Sequence, residues 1–395
     1  MRVGSVNFMI NDDAGGHRAG GQASAAALSP APGAVVLPST RGTAPGGRAP
    51  APTGYTELDH TVSAATAAAI ERGVADNTRA AHARDWSAFT RWCADVGRTP
   101  LPATAATLAE YATHLAYTRG LAPGTISQAL SSIRVRHAGA GLDAPDRSAA
   151  NRILTGYRDH LARTGDPKAD PHRAVAATPD DLRAMLATLD RATAAGQRDA
   201  ALLLLGFRLG AREAELLAVD IQHVTHHRGK GLTVRLYRSK TKQLQHHALK
   251  RHKSEEEVCV VHALTTWMAT LAARGRTRGP LFVRIDQHGN LGVAMRRAGR
   301  AIGDTEGRLS VRAVDDIVAG SAERAGLDAD RIEGLRRQFS GHSLRRGYAS
   351  AARAAGVDPL TIARRGGWKE NSTVLWGYFE QDVDRWAESA EDDLL

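Results

Sequence analysis

Two cysteines, Cys93 and Cys259, in 395 residues are too few for a disulfide framework or a cysteine-rich zinc site, and they fit a reducing compartment. Long apolar runs are also missing. The longest, residues 200–207, is far too short to cross a bilayer, and nothing at the front reads as a secretory signal. The expected setting is therefore cytosolic, with access to a bacterial nucleoid and no membrane partner. A Gly-x-x-x-x-Gly-Lys-Ser/Thr phosphate loop and a His-Glu-x-x-His pair are both absent, which argues against an ATP-driven engine and a helix-borne zinc centre. No repeat at a solenoid period is visible.

What is plentiful is positive charge. Lys plus Arg number 52 against 42 Asp plus Glu, a formal net charge of +10. An excess of that sign favours a polyanion, nucleic acid first and an anionic membrane surface second. Hydrophobic residues at 43% and charged residues at 24% exclude a wholly disordered chain. The length suggests two domains plus an extra segment.

Residues 1–55 are rich in Gly, Ala, Pro, Ser and Thr and cannot bury enough surface to offset ordering entropy, so a disordered arm is expected there. Residues 56–165 carry helical periodicity in segments near 61–75, 78–96, 104–118, 125–137 and 147–163. Asn77 is a candidate N-cap. Trp86, Phe89, Trp92 and Cys93 recur at the spacing of one apolar face. Away from that face lie Arg79, Arg84 and Arg91, and later helices add Arg134, Arg136, Arg152 and Arg158. These seven are the candidate DNA-contacting arginines of a helical domain.

A polar run with two prolines makes 166–177 a linker. A second domain, 178–378, opens with Thr178-Pro179-Asp180-Asp181, where Thr caps, Pro takes the first helical position and the acids face the positive end of the dipole. Leu232, Val234 and Leu236 alternate with Thr233, Arg235 and Tyr237, a short strand. The remainder reads as helical. The expected class is mainly α: a helical N-terminal domain followed by an α+β domain, mostly helical with a small sheet.

Four places in the second domain carry chemistry. An apolar helix stops at Gly210, and a new one begins with Arg212, with Glu215 three residues on and on the same face. Lys240 falls at the end of the basic strand, in what should be a hairpin turn. Gly341-His342-Ser343-Leu344-Arg345 places a His and an Arg where both can face one bound anion. Gly366-Gly367-Trp368 is followed, after a short polar segment, by Tyr378. Singly, each is commonplace. Together they supply fixed cationic donors around the nonbridging oxygens of a phosphodiester, without a metal. His223, His226, His227, His246, His247 and His252 lack a ligand frame and read as protonatable surface near DNA, not as a metal site.

The ordered set Arg212, Lys240, His342-x-x-Arg345, Trp368, Tyr378 resembles the tyrosine recombinase (phage integrase) family, and the stretch from Arg212 to Tyr378 is closest to its Cre-like branch. Ser340-Gly341-His342-Ser343 and Gly366-Gly367-Trp368 resemble the local wording of that branch. The helical first domain is similar to the family's core-binding domain in size and place. One departure is that Tyr378 lies ten residues after Trp368, where nine is usual. Tyr348 is the nearest rival, but one turn after Arg345 it reads as packing.

The resemblance implies a site-specific recombinase in which Tyr378 is the nucleophile and forms a 3′-phosphotyrosyl link. Arg212 and Arg345 would hold the phosphate oxygens, and His342 would donate to them or help remove the phenolic proton. Lys240 would protonate the leaving 5′-oxygen, Trp368 would donate through its indole N–H or pack, and Glu215 would orient Arg212. No cofactor is implied, because one phosphoester is exchanged for another. The partners implied are a double-stranded DNA recombination site and further copies of the chain in a tetramer. After Tyr378, Phe379, Val383, Trp386, Ala390 and Leu394 keep helical spacing on one face while Asp382, Asp384, Glu388, Glu391 and Asp392 crowd the rest. The segment 379–395 is thus expected to be a tail helix docking on a neighbouring protomer. A type IB topoisomerase-like relaxing enzyme and a catalytically inactive DNA-binding regulator are the alternatives. The Cre-like spacing disfavours the first and the full residue set the second.

Overall fold

The computed structural model describes residues 35–36, 61–169, 174–252, 255–327 and 339–381, and the chain divides into two compact units, Met1–His172 and Arg173–Leu395. The expected arm at 1–55 lies outside the described residues except for strand β1 (Val35–Val36), antiparallel to β2 (Thr61–Val62). Most of the expected tail also lies outside them, beyond Gln381.

In the first unit, helices α1 (Ala64–Arg72), α2 (Asp76–Asp95), α3 (Ala105–Thr113), α4 (Pro123–Gly139) and α5 (Ser148–Thr164) follow in order, and α3 runs on into a π-helical turn at His114–Thr118. Their limits follow local chemistry. Thr104 caps α3 by accepting the Thr107 N–H at 3.2 Å, Pro123 opens α4, and Gly165, left-handed at φ 65°, closes α5. Asn77 is not a cap. The helix begins two residues earlier, with Ala75 in the capping position and Asp76 in the first turn, where its carboxylate meets the helix dipole and pairs with Arg79. Phe89, Cys93, Leu108, Tyr111, Ile126, Leu130, Ile133 and Leu154 form the core, with Trp86 and Trp92 half-buried at its rim. His137 sits inside it fully satisfied, accepting the Ala103 N–H at 2.9 Å and donating to the Ile133 carbonyl at 2.8 Å.

The second unit is α+β, as expected. Thr178 and Asp181 cap α6 (Pro179–Ala187) reciprocally. Helix α7 (Ala194–Leu209) contains the apolar run and buries it on all sides, packing against α9 (Val260–Ala273) and α11 (Gly341–Ala354). After the short α8 (Glu213–Leu217), strands β3 (Val224–His227), β4 (Gly231–Arg238) and β5 (Gln243–Lys250) form an antiparallel sheet in that order. A two-stranded hairpin, β6 (Met295–Arg297) with β7 (Arg300–Ile302), precedes α10 (Val311–Arg324); α12 (Pro359–Gly366) and α13 (Thr373–Gln381) end the described chain. The helical expectation outside β4 is therefore corrected. Strand β5 buries only His247 and Leu249, and β7 is exposed throughout, so neither shows the apolar alternation that makes a strand legible.

Candidate active site

Arg212 is placed by a glycine. Gly210 ends α7 in the left-handed region at φ 52°, and a Cβ there would lie 2.5 Å from Tyr348 Cδ1. The chain therefore reverses tightly and delivers Arg212 to the capping position of α8. Its guanidinium meets Glu215 Oε1 at 2.8 Å, and Glu215 Oε2 accepts the Arg212 backbone N–H at 3.3 Å. Tyr348 thus fills the space a side chain at position 210 would need, the packing role expected of it.

Ser340 caps α11, and one turn of that helix presents His342 and Arg345 together. Arg345 is only 1% exposed. Its Nη1 donates to the carbonyls of Gly210 and Gly366, and the guanidinium lies 3.6 Å from the Trp368 ring centroid. Its Nη2 is buried with no hydrogen-bond partner among the described residues. Burial, then the positive charges of Arg212 and Arg238, pushes the Arg345 pKa down to about 9. The Gly366-Gly367-Trp368 sequence explains itself sterically. A Cβ at position 366 would lie 1.7 Å from Trp368 Cζ3, and Gly367 is left-handed at φ 67°, which turns Trp368 back over the helix end.

Tyr378 comes from α13 and is 5% exposed. Its Oη is 2.8 Å from His342 Nε2. The His342 and Trp368 rings each lie 6.1 Å from the Tyr378 ring, with the Arg346 guanidinium 5.2 Å from it. Burial, then Arg345, Arg346 and Arg212, pushes the His342 pKa down to about 4, so the imidazole is neutral at physiological pH. Tyr378, ten residues after Trp368, still reaches His342. Lys240 sits at the tip of the β4–β5 hairpin. All six expected groups, Arg212, Lys240, His342, Arg345, Trp368 and Tyr378, line one cavity of about 470 Å³, together with Thr241, Lys369 and Ser372.

Sequence reading missed Arg238, which is fully buried and holds Glu215 Oε2 at 2.9 Å. The signal was there. The inward face of β4, Leu232, Val234, Leu236, continues to position 238, and an arginine on a buried face needs a carboxylate. The seven arginines expected to contact DNA are all exposed, on α2, α4 and α5. Among them Arg84 lies 3.6 Å from Asp85, Arg91 donates to the Ser87 carbonyl at 3.3 Å, and Arg136 lies 5.7 Å from the Trp86 ring. The histidines do not converge: His223 accepts the Asp220 N–H at 3.1 Å, His227 meets Thr233 Oγ1 at 2.9 Å, and His247 is buried against Gln245 Oε1 at 3.1 Å. Among the described residues no group of three or more His, Cys, Asp or Glu could hold a metal ion.

Residues 176–385 match the Phage integrase family. An integrase/recombinase XerD homolog of Selenomonas ruminantium is 31% identical over 79% of this chain and 84% of its own length. Recombinase Cre of Escherichia phage P1 is 26% identical over 74% of this chain and 80% of its own length. Among solved structures, the XerH site-specific recombinase bound to palindromic difH substrate, a post-cleavage complex, has a TM-score of 0.46 and 15% identity over 73% of this chain and 72% of that one. The chain belongs to the phage integrase family. Within it, the chain is a tyrosine-type site-specific recombinase of the Cre-like kind.

Proposed function

We propose that this recombinase cuts and rejoins double-stranded DNA through Tyr378, and that the other five groups of the cavity serve the same phosphodiester. The observation that carries the reading is the 2.8 Å contact between Tyr378 Oη and His342 Nε2, in a cavity also lined by Arg345, whose buried Nη2 lacks an acceptor among the described residues. Burial first, and then the neighbouring guanidinium groups, Arg212 and Arg238 for Arg345 and Arg345, Arg346 and Arg212 for His342, depress both Arg345 and His342. A bound phosphodiester supplies the missing negative charge. Arg212 and Arg345 then stabilise the charge that builds on the nonbridging oxygens as Tyr378 attacks phosphorus.

The neutral imidazole of His342 is placed to accept the phenolic proton, and the anion at phosphorus raises its basicity as the reaction needs it. Lys240 donates a proton to the leaving 5′-oxygen, and Trp368 fixes Arg345 from its ring face. The products are a 3′-phosphotyrosyl bond and a free 5′-hydroxyl, so one phosphoester replaces another and the link is reversible without a nucleotide. The helical domain 56–165 acts as the core-binding domain that grips the recombination site, the linker 166–177 joins it to the catalytic domain 178–378, and strand exchange occurs in a tetramer that the tail helps assemble. Its place of action is the bacterial nucleoid.

The test is a nicked suicide substrate carrying the cognate site. A covalent protein–DNA adduct is expected from the wild type and none from Tyr378→Phe. An undiminished adduct in that variant overturns the assignment of the nucleophile. Recombination between two defined sites, as opposed to relaxation alone, separates strand exchange from a topoisomerase-like activity.

A further inference from the structure

The last carbonyls of a helix have no partner within it. At the C-terminus of α12 three successive ones are taken by side chains from elsewhere: Arg364 O accepts Gln245 Nε2 at 2.9 Å, Arg365 O accepts Arg238 Nη2, and Gly366 O accepts Arg345 Nη1. Two of the three donors, Arg238 and Gln245, stand on the two strands of the hairpin whose tip is Lys240, and they hold each other, Arg238 Nε donating to Gln245 Oε1 at 2.9 Å. Arg238 Nη2 reaches the Leu209 carbonyl at 2.9 Å as well. Position 367 must be glycine for this to happen, since a Cβ there would lie 2.9 Å from Arg238 Cδ.

Between these clamped strands, residues 239–242 form the exposed turn, with Lys242 strained at φ 56°. A mobile lysine at the tip of a two-stranded hairpin reaches a defined point only if its base is fixed. We propose that Arg238 and Gln245 are positioning residues that clasp the β4–β5 hairpin to the C-terminus of α12 and thereby set the reach of Lys240 into the cavity. The clasp anchors the proton donor to the same helix end that orients Arg345 and Trp368, so donor and phosphate-binding groups share one reference point. This rests on Lys240 being the proton donor.

The test uses two suicide substrates that differ at the scissile 5′ position, bridging oxygen in one and bridging sulfur in the other. A thiolate leaves with the electron pair of the broken P–S bond and needs no proton, so a misplaced acid matters only for oxygen. Gln245→Ala is expected to slow cleavage of the oxygen substrate by about 10-fold, and Arg238→Lys by about 100-fold, with sulfur-substrate rates within about twofold of wild type and DNA affinity unchanged. Gln245 is half-buried, so its variant reports even where Arg238→Lys does not fold. Equal losses on both substrates overturn the proposal, pointing to Arg212 through the shared Glu215, and so does no loss on either. Lys240→Ala serves as the reference. If sulfur rescues it but not Gln245→Ala, the clasp alone is wrong; if sulfur does not rescue it, Lys240 is not the proton donor and the clasp falls with that assignment.

Discussion

In the unit Arg173–Leu395, Arg238 is 0% exposed and Arg345 1%, whereas Arg79, Arg84, Arg91, Arg134, Arg136, Arg152 and Arg158 of the unit Met1–His172 all stand exposed. Taking a guanidinium out of water is costly, so a buried one is held by carbonyl or carboxylate acceptors, as Arg238 is by Glu215 and the Leu209 carbonyl and Arg345 by the Gly210 and Gly366 carbonyls. Those acceptors fix the spacing of neighbouring glycines, carbonyls and acids, and spacing is what a sequence displays. An exposed guanidinium is satisfied by water wherever it stands, so nothing around it records its purpose. The contrast predicts different tolerance to a change that keeps charge but removes the planar fork.

Arg345→Lys is therefore expected to slow single-turnover cleavage by about 100-fold or more, because one ammonium cannot span the Gly210 and Gly366 carbonyls and a phosphate oxygen together. Lysine at Arg134, Arg136 and Arg152 at once should leave DNA affinity within about twofold, since a point charge serves a phosphate nearly as well. Alanine at the same three should instead reduce the slope of log affinity against log salt by about 0.9 for each phosphate left without its cation. Equal sensitivity of the two regions to lysine, or an unchanged salt slope with alanine, breaks the contrast.

Glycines sharpen it at a smaller scale. Gly366→Ala drives a methyl group into the Trp368 ring, and Gly210→Ala adds a clash with Tyr348 to a left-handed backbone. Each is expected to cost about 1–3 kcal/mol of stability and to reduce cleavage, since both move groups that hold Arg345. Gly156, inside α5 with nothing within 4 Å of a new Cβ, should gain about 0.5–1 kcal/mol on replacement by alanine. Urea unfolding of the full chain checks all three. A neutral Gly366→Ala would mean that Trp368 is free to move and does not fix Arg345.

The same physics explains what the sequence made legible. Arg212 with Glu215, His342 with Arg345, and the Gly-Gly-Trp turn were readable because each is a short-range arrangement on or beside a helix. For Arg238 only its place on the inward face of β4 was readable; its partner Glu215, 23 residues away, and the reach of Gln245 across 119 residues to Arg364 were not, because no local pattern spans such distances. Strand β5 buries only His247 and Leu249, so the turn at Lys240 pointed to it but its own side chains did not. Tyr378 was legible as a residue type but not in register, and only the folded α13 shows that the phenol, ten residues after Trp368, stands beside His342.

The smallest expected effect comes from one buried histidine of the second unit. His247 faces Gln245 Oε1 with Arg238, Arg365 and His246 nearby, and burial followed by those three groups pushes its pKa down to about 4 from the ordinary 6.5. A group whose folded pKa is depressed lends stability that is complete above its unfolded value and is lost as pH falls from about 6.5 toward 4. His342 adds to this loss, while Glu213 and Asp199, raised by burial, oppose it. The informative quantity is thus the difference between variant and wild type. Between pH 7 and pH 5 the melting temperature of His247→Gln should fall less than that of the wild type, because glutamine takes up no proton on unfolding. An identical fall in both would show that His247 is protonated in the folded chain and that Arg238, two residues from the hairpin tip, is not the source of a strong local positive field.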